Sequence, residues 1–340
     1  MKTIEVPEPT LRSRSVLLEE DCVRILDRRS FPLKTEYVVC PTYEEVATAI
    51  EEMVTQSAGP YFAASAGLVL AARAAERALP ADREHLMEGA AARLLRTRST
   101  NNNIRDVLAA MMVVARANLA ADHFSGIVQK AMHELWDQRL AHSRQLGENA
   151  AQLIQEGDTI LTHCWAETSL IDTLRAARLA GKNIKVICTE TRPYLQGARL
   201  TAHSVAEMGI DALVITDGMA AHAMDRGMVS NLMTAADRVT LSGHVINKVG
   251  THQLAIAAHS FRIPYFAMVQ APDKNASAPA DVPMEERDGN ETLHCLGVPT
   301  ASPLARGWYP AFDVTPPHLV AAIATSRGVF APAMLRTTFG

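Results

Sequence analysis

Four ionisable or nucleophilic residues follow short apolar runs in the second half of the chain. Cys164 ends the run that begins at Thr159, and three later runs are followed by Glu190, Asp217 and Asp237. In open α/β sheets, ligands bind outside the carboxyl ends of the strands, so each position borders a candidate crevice. A cysteine thiolate at a strand end, beside a helix N-terminus, can act as a base or nucleophile with a lowered pKa. A carboxyl group there can act as a general acid or base if burial raises its pKa.

Each of these residues also has a structural interpretation that the sequence leaves open. Cys164 fits equally well as a small buried hydrophobe. Asp237 can instead cap the following helix or pair with Arg238. His163 and His222 have no carboxylate or cysteine at ligand spacing. We therefore interpret both histidines as structural and expect no metal site, since a metal needs further convergent ligands.

Nucleotide-dependent chemistry has no support in the sequence. There is no Walker A sequence, and no GxGxxG follows a strand-like run, so neither phosphoryl nor hydride transfer is indicated. A phosphate group can still be held by backbone amides and by single Arg or Lys side chains. Arg98 and Lys248 are candidates, although each alone is more often a surface charge or a helix cap.

The elements that must position these residues alternate through the second half of the chain. Short apolar runs recur at 159–164, 185–189, 212–216, 232–235 and 264–269, separated by helical or loop segments. Runs at this spacing predict right-handed βαβ crossovers and a Rossmann-like parallel sheet with helices on both faces. The tail, 315–331, is predicted to form one more helix and a last strand.

The first half of the chain has a different texture. Residues 23–26 and 37–40 predict a small β-hairpin, although the first run also fits the edge of a buried helix. Thr42 with Glu45 three residues later is a capping box, and helix-forming residues continue from there. We predict an α/β protein with an N-terminal, mostly helical domain over residues 1–148 and an α/β catalytic domain over residues 149–340.

Composition excludes several classes of protein. A net charge of -4, from 33 basic and 37 acidic residues among 340, argues against a nucleic-acid or anionic-membrane binder. The five cysteines are scattered and odd in number, so neither a disulfide framework nor a zinc finger is indicated. No signal-peptide pattern and no membrane-spanning apolar stretch is found. We expect a reduced, cytoplasmic protein.

Several distinctive strings occur along the chain. The longest is TETRPYLQGARLTA at 189–202, and shorter ones follow in order at 216–222, 236–238, 247–251, 283–287 and 310–316. Together they resemble the S-methyl-5-thioribose-1-phosphate isomerase family. That family is related to ribose-1,5-bisphosphate isomerases and to regulatory subunits of the eukaryotic initiation guanine-nucleotide exchange factor. The resemblance covers nearly the whole chain.

The resemblance implies an aldose–ketose isomerase that acts on a 1-phosphorylated aldopentose, by default 5-methylthioribose 1-phosphate. It places the catalytic pair on Cys164 and Asp237. The chemistry of a 1-phosphorylated aldose then assigns protonation of the ring oxygen to the Asp237 carboxyl group and removal of the C2 proton to the Cys164 thiolate, and a hydride shift from C2 to C1 stays open as the alternative. It implies no metal or organic cofactor and a homodimer formed through the C-terminal domain. The phosphate-binding residues that it implies are Arg98, Thr100, Asn103, Gln196, Asn247 and Lys248.

This chain differs from the family in segments that bind the substrate in other members. The segment 55–62, TQSAGPYF, lacks the arginine of the family's Arg-Gly-Ala-Pro-Ala-Ile-Gly segment, and Gly218 replaces an asparagine usual there. A different sugar therefore stays open, such as 5-deoxyribose 1-phosphate, ribose 1,5-bisphosphate or a shorter sugar. A non-catalytic sugar-phosphate or nucleotide-sensing subunit is a third hypothesis. The presence of both Cys164 and Asp237 argues against it, because a sensor does not need the pair.

Overall fold

The computed structural model describes residues 5–98 and 102–340. The chain divides into an N-terminal unit, Thr10–Ala141, and a C-terminal unit, His142–Gly340 together with the residues up to Pro9. The sequence-predicted boundary between residues 148 and 149 stays a prediction. No helix within the described ranges is both long enough and apolar enough to span a membrane.

The N-terminal unit combines a small antiparallel sheet with helices. Its strands pair in the order β1-β2-β3, so the predicted hairpin is confirmed as β2–β3, and β1 is a strand that the sequence did not predict. Its elements are α1 (Thr10–Ser13), β1 (Val16–Leu18), β2 (Val23–Leu26), β3 (Tyr37–Cys40), α2 (Tyr43–Glu51), α3 (Gly59–Glu76), α4 (Pro80–Arg96), α5 (Asn102–Ala117) and the first part of α6 (Phe124–Ala151), whose residues from His142 onward belong to the C-terminal unit.

Local sequence explains where these helices begin and which side they bury. The predicted capping box is present: Thr42 Oγ1 accepts the Glu45 N–H at 3.3 Å, and the Glu45 carboxylate accepts the Thr42 N–H at 2.9 Å. α3 begins with Pro60 in its first turn and is buried almost throughout, which suits its run of alanine, leucine and valine. It is the central helix of this unit's hydrophobic core.

The C-terminal unit contains fourteen of the strands and five of the helices within the described residues. The strands are β4 (Thr159–Thr162), β5 (Lys185–Thr189), β6 (Asp211–Ile215), β7 (Asn231–Ala235), β8 (Arg238–Val239), β9 (Val245–Lys248), β10 (Tyr265–Met268), β11 (Glu286–Arg287), β12 (His294–Cys295), β13 (Val298–Pro299), β14 (Tyr309–Pro310), β15 (Phe312–Thr315), β16 (Ala322–Thr325) and β17 (Gly328–Phe330). The helices are α7 (Glu167–Leu179), α8 (Ala202–Glu207), α9 (Ala220–Asp225), α10 (Thr251–Ser260) and α11 (Leu335–Phe339).

Seven of these strands form the main sheet, in the order β17-β16-β10-β7-β4-β5-β6. All neighbours are parallel except β16 and β17. The chain runs from β4 out to β6 and returns to β7 on the other side of β4. Right-handed crossovers therefore place α7 and α8 on one face and α9 and α10 on the other. The predicted α/β fold with a parallel sheet and helices on both faces is confirmed.

Smaller sheets position side chains near the carboxyl edge of the main sheet. β9 lies between β8 and β15 in an antiparallel sheet, and β11 pairs with β14. In these pairs Lys248 lies opposite Phe312, and Arg287 lies opposite Tyr309. The two cationic residues are thus fixed by strand pairing rather than carried on loose loops.

The predicted helix in the tail is wrong. Residues 317–319 form a single 3₁₀ turn, and the next residues enter the main sheet as β16 and β17. The alanine-rich run 321–324 has high helix propensity. However, it is only strand-length, and pairing with β10 buries all four residues of β16, so the tertiary context overrides the propensity.

Candidate active site

Cys164 and Asp237, the catalytic pair that the resemblance implies, lie just after β4 and β7. The direction in which the chain adds strands to the main sheet reverses between these two strands. β4 and β7 are parallel neighbours, and the chain leaves them in opposite directions across the sheet. Cys164 lies two residues beyond β4, and Asp237 lies two residues beyond β7. Such a reversal point opens a crevice at the carboxyl ends of the strands, where ligands of α/β proteins bind.

The backbone of Cys164 is held in an unusual conformation by two threonines. Its φ angle is +64°, a region that costs a non-glycine residue about 1–3 kcal/mol. The Cys164 N–H donates to Thr191 Oγ1 at 2.9 Å, and the Cys164 carbonyl accepts from Thr201 Oγ1 at 2.6 Å. Both backbone groups are therefore bound to side chains of the loop that follows β5, and the turn is fixed.

His163 is a structural residue, as the sequence predicted. It is buried, with Nε2 2.9 Å from the Val249 carbonyl and Nδ1 2.6 Å from Thr189 Oγ1. A carbonyl only accepts, so Nε2 carries the proton and Nδ1 accepts from the threonine hydroxyl. Burial lowers the pKa of His163, so the ring is neutral. A Cβ on Gly250, whose φ is +106°, would lie 3.0 Å from Nε2, which explains the glycine there.

Burial raises the pKa of the Cys164 thiol to about 11, against the lowering influence of Lys248 and of the Trp165 backbone N–H. The lowered pKa that the strand-end position suggested is therefore wrong. α7 does begin three residues after Cys164. However, loss of solvation around the sulfur outweighs the nearby positive charges and the N–H donor.

Asp237 has the electrostatic character of a general acid. Its side chain is reached by solvent, yet the surrounding protein raises its pKa to about 6, with Lys248 and Arg287 opposing the shift. A carboxyl group that titrates near neutrality holds a proton for part of the time at working pH and can donate it. The negative charge of Asp237 also raises the pKa of Cys164, which places the two groups in one electrostatic site.

Lys248 and Arg287 supply the positive charge of the site. Lys248 is buried, its Nζ donates to Tyr309 Oη at 3.1 Å, and burial lowers its pKa. Arg287 Nε donates to Glu285 at 2.8 Å, and its guanidinium lies 5.6 Å from the centre of the Tyr194 ring. Two cations beside a thiol and a carboxyl group suit a phosphorylated substrate.

Two other predicted phosphate ligands lie in the C-terminal unit, and both are buried. Asn247 precedes Lys248 on β9 and donates from Nδ2 to Thr251 Oγ1 at 3.0 Å. Gln196 begins a π-helical turn, Gly197–Thr201, that includes the threonine bound to the Cys164 carbonyl. Within the described residues Gln196 Oε1 has no hydrogen-bond partner. Buried polar groups are normally bonded, so this side chain retains the capacity to bind a ligand.

The remaining predicted ligands belong to the N-terminal unit or lie outside the described residues. Arg98 donates to the Ile50 carbonyl at 3.2 Å and contacts Met53 Sδ. Asn103 is exposed and accepts from Arg139 at 3.4 Å. Thr100 lies outside the described residues. The roles of these three residues in binding phosphate stay predictions.

The other two strand-end carboxyl groups do not join the pair. The carboxylate of Asp217 accepts two backbone N–H groups, those of Thr191 and Arg192, both at 2.8 Å. Burial raises the pKa of Glu190, as does the negative charge of Asp217. Asp217 therefore organises the loop after β5, and its two oxygens are already engaged by the backbone.

Sequence reasoning missed four residues of the site. Arg287 is in a string that carried the resemblance but received no role, and Tyr309 gave no signal because its contact with Lys248 joins distant strands. Thr191 and Thr201 are both within the 189–202 string. A string so long around one loop was the available signal that its hydroxyl groups matter.

A cavity of about 260 Å³ lies beside Tyr309. Its walls are largely apolar, and it shares Tyr309 and the residue after Lys248 with the surroundings of the site. The lining residues are Arg192, Pro193, Val249, Thr292, Trp308, Tyr309 and Pro310.

Known proteins resemble this chain along most of its length. The model of the initiation factor 2 subunit family matches residues 56–332. The chain belongs to this family. Similar members include the methylthioribose-1-phosphate isomerases of Thermotoga neapolitana, 37% identical over 95% of this chain and 96% of that protein, and of Desulforamulus reducens, 35% identical over 94% and 95%.

Two solved structures share the fold along almost the whole chain. 5-Methylthioribose 1-phosphate isomerase from Pyrococcus horikoshii OT3 superposes with a TM-score of 0.89, at 30% identity over 99% of this chain and 98% of that one. The delta subunit of translation initiation factor eIF-2B from A. fulgidus gives a TM-score of 0.86, at 31% identity over 94% and 96%. Full-length similarity to several isomerases makes this chain an isomerase within the family.

Proposed function

We propose that this isomerase converts 5-methylthioribose 1-phosphate into 5-methylthioribulose 1-phosphate. The observation that carries the proposal is the pairing of Cys164 and Asp237 at the reversal point of the sheet, beside Lys248 and Arg287. The substrate is taken from the names of the similar isomerases. In this proposal Asp237 is the acid and Cys164 the base, and Lys248 and Arg287 form the anion site that the chemistry requires.

Ring opening is the first chemical requirement. Phosphorylation at C1 prevents an aldose from opening to a free aldehyde, so a general acid must assist cleavage of the bond between C1 and the ring oxygen. Asp237, with its pKa raised to about 6, donates its proton to that oxygen as the bond breaks. General acid catalysis of this kind contributes about 10²- to 10⁴-fold.

Proton transfer between carbons completes the reaction. The Cys164 thiolate takes the proton from C2, and the electron pair of the C–H bond forms a double bond between C1 and C2. The resulting enediol 1-phosphate gives its O2 proton to the Asp237 carboxylate and receives a proton at C1 from the Cys164 thiol. The product is the ketose 1-phosphate, and both side chains return to their starting states.

The reactive form has the proton on Asp237 and the charge on Cys164. The free site favours the reverse distribution, because the thiol pKa is about 11 and the carboxyl pKa about 6. The two distributions contain the same number of protons, so their ratio does not change with pH. Lys248 and Arg287 both stabilise the thiolate, and this partly offsets the cost of desolvation.

The cavity beside Tyr309 bears on the substituent at C5. Its walls include Pro193, Val249 and Pro310, and the guanidinium of Arg192, which also lines it, is already bonded to two backbone carbonyls. Such a lining favours an uncharged group such as methylthio over a phosphate. We therefore expect 5-methylthioribose 1-phosphate and 5-deoxyribose 1-phosphate to be turned over faster than ribose 1,5-bisphosphate.

A substrate screen tests the proposal. The protein is incubated with each of the three sugar phosphates, and the ketose products are followed by ³¹P and ¹³C NMR. Turnover of the 5-methylthio sugar with the largest kcat/KM supports the assignment. A preference for ribose 1,5-bisphosphate would reassign the substrate, and no turnover of any sugar phosphate would overturn the proposal.

A second candidate function is a sensing subunit, which the similarity to the eIF-2B delta subunit favours. A sensor would bind a sugar phosphate or nucleotide without turning it over. Binding seen by calorimetry in the absence of any ketose product would favour this candidate. The homodimer implied by the resemblance also stays a proposal, and light scattering on the purified protein tests it by giving the mass in solution.

A further inference from the structure

Asp217 connects two parts of the site that are far apart in sequence. It follows β6, the edge strand of the main sheet, in a 3₁₀ turn at 217–219. Each carboxylate oxygen accepts one backbone N–H, Oδ1 from Thr191 and Oδ2 from Arg192, both at 2.8 Å. Bonds from a carboxylate to two successive amides are charge-assisted and fix the orientation of that peptide unit.

The first of these residues holds Cys164. Thr191 is fully buried and has a φ angle of +62°, a genuine outlier for a β-branched residue. Its hydroxyl oxygen accepts the Cys164 N–H at 2.9 Å. Strained backbone persists only where the surrounding structure over-determines it, and the carboxylate of Asp217 is a constraint of this kind on Thr191.

The second residue holds the segment that follows Arg287. The Arg192 guanidinium donates to the carbonyls of Thr292 and His294 at 3.2 and 2.8 Å. These acceptors lie between β11, which contains Arg287, and β14, which contains Tyr309. Arg192 thereby fixes the segment between β11 and β14, the two strands that carry Arg287 and Tyr309 into the site.

We infer that Asp217 is a positioning residue for the isomerase reaction, because it fixes Thr191 against Cys164 and Arg192 against the 292–294 segment. This inference rests on the proposed function only for its effect on turnover. The carboxylate acts through other residues and does not touch the reacting atoms. Asparagine would not replace it, because its amide turns an N–H donor towards one of the two backbone N–H groups.

The test combines turnover with the chemical accessibility of Cys164 in the folded protein. In Asp217→Asn, kcat is expected to fall by about 10²-fold, the cost of a misplacement near 1 Å, while KM changes little. The rate of Cys164 alkylation by iodoacetamide, resolved by peptide mass spectrometry and divided by that of Cys22, a partly exposed thiol of the N-terminal unit, is expected to rise about fivefold or more as the Cys164 thiol loses its enclosure. The matched control is Asp211→Asn on β6, the strand that Asp217 follows; it removes an exposed carboxylate paired with Lys185 and should change neither quantity.

Two further variants separate positioning from general stability. Thr191→Val removes the acceptor for the Cys164 N–H, whereas Thr191→Ser keeps it, so only the valine variant should reproduce the loss of kcat and the faster alkylation. These variants also decide the matter if Asp217→Asn does not fold. An Asp217→Asn or Thr191→Val protein with a lower Tm but wild-type kcat and wild-type alkylation ratio would overturn the inference. Faster alkylation in these variants, together with full activity of Cys164→Ser, would instead refute the proposed function and leave the positioning role intact.

Discussion

The ends of β6 and β7 each present an aspartate at the same edge of one sheet, two residues beyond the strand. Asp217, after the edge strand, uses both oxygens to bind the backbone of a neighbouring loop. Asp237, after a strand at the reversal point, is reached by solvent, but partial desolvation by the surrounding protein raises its pKa to about 6. The same side chain therefore holds structure at one position and is suited to donating a proton at the other.

Position along the sheet edge therefore does not by itself define a catalytic residue. All four strand ends bear a polar side chain, but only the two strands at the reversal point, β4 and β7, place theirs beside Lys248 and Arg287. The partners of each group decide its role. An Asp217 oxygen that accepts a backbone N–H is tied to structure, whereas Asp237 is left able to exchange its proton.

The largest effect is expected from neutralising the carboxyl group at the reversal point. Asp237→Asn removes the proposed general acid for the ring oxygen, so kcat should fall by about 10³-fold, within the range for general acid catalysis. Steady-state kinetics with the preferred sugar phosphate measure it. Asp225→Asn, at an exposed position of α9, is the control. If Asp237→Asn had the same kcat as Asp225→Asn, Asp237 would have no special role in turnover, and the ends of β6 and β7 would no longer differ in function.

The next effect comes from disturbing the loop that joins the edge of the sheet to the site. A Cβ on Gly197 would lie 1.8 Å from the Thr189 carbonyl oxygen and 2.8 Å from Thr191 Oγ1. Gly197→Ala should therefore lower the free energy of unfolding by about 3 kcal/mol, at the upper end for overpacking.

Chemical denaturation measures the change. The control is Gly218→Ala, where an added Cβ meets nothing within 4 Å, so its free energy of unfolding should lie within about 0.5 kcal/mol of the wild type. If the free energy of unfolding of Gly197→Ala fell no further than that of Gly218→Ala, Gly197 would not be a site of close packing.

The pH dependence of kcat/KM is expected to report the ionisation of Asp237 and Cys164. Below about pH 6 both Asp237 and Cys164 are protonated, and above about pH 11 both are ionised, so the single-proton form is lost on each side. The rate should therefore fall about tenfold per pH unit below the lower limit. In Asp237→Asn the residual activity depends only on the Cys164 thiolate, so it should rise steadily with pH and show no break near pH 6. A limb of unchanged pKa in the variant would assign it to another group.

The smallest effect should come from outside the site. Thr42→Ala removes the N-cap of α2 in the N-terminal unit and should lower stability by about 1 kcal/mol, with kcat unchanged at a temperature where the variant is folded. Thermal unfolding and kinetics on one sample test this. A reduced kcat would mean that the activity depends on more than the strand ends and their loops.

Much of the fold was predictable because buried parallel strands have continuous apolar sequences. The five runs from 159 to 269 all form strands of the main sheet, and the capping box at Thr42 is present. The tail was not predictable in the same way. Its alanines favour a helix locally, and only the pairing of β16 with β10, which joins residues distant in sequence, makes them a strand.

The site was predictable to the extent that it is local in sequence. Cys164 and Asp237 each follow a strand of the sheet, so strand-end geometry marks them out. Arg287 and Tyr309 come together only because β11 pairs with β14, which no local pattern shows. The pKa of Cys164 also escaped prediction, since desolvation depends on the packing around the sulfur rather than on its position near a helix start.

The most direct test of the account is to run the reaction in D₂O with wild-type protein and with Cys164→Ser, using Cys295→Ser as a control that alters another partly exposed thiol. NMR of the ketose product measures both the rate and the deuterium at C1. The account predicts some deuterium at C1 in the wild-type and Cys295→Ser reactions, because the Cys164 thiol can exchange its proton with solvent before it reprotonates C1. It predicts no detectable product with Cys164→Ser. Product formed by Cys164→Ser at the wild-type rate, with only protium at C1, would contradict it and indicate a hydride shift from C2 to C1.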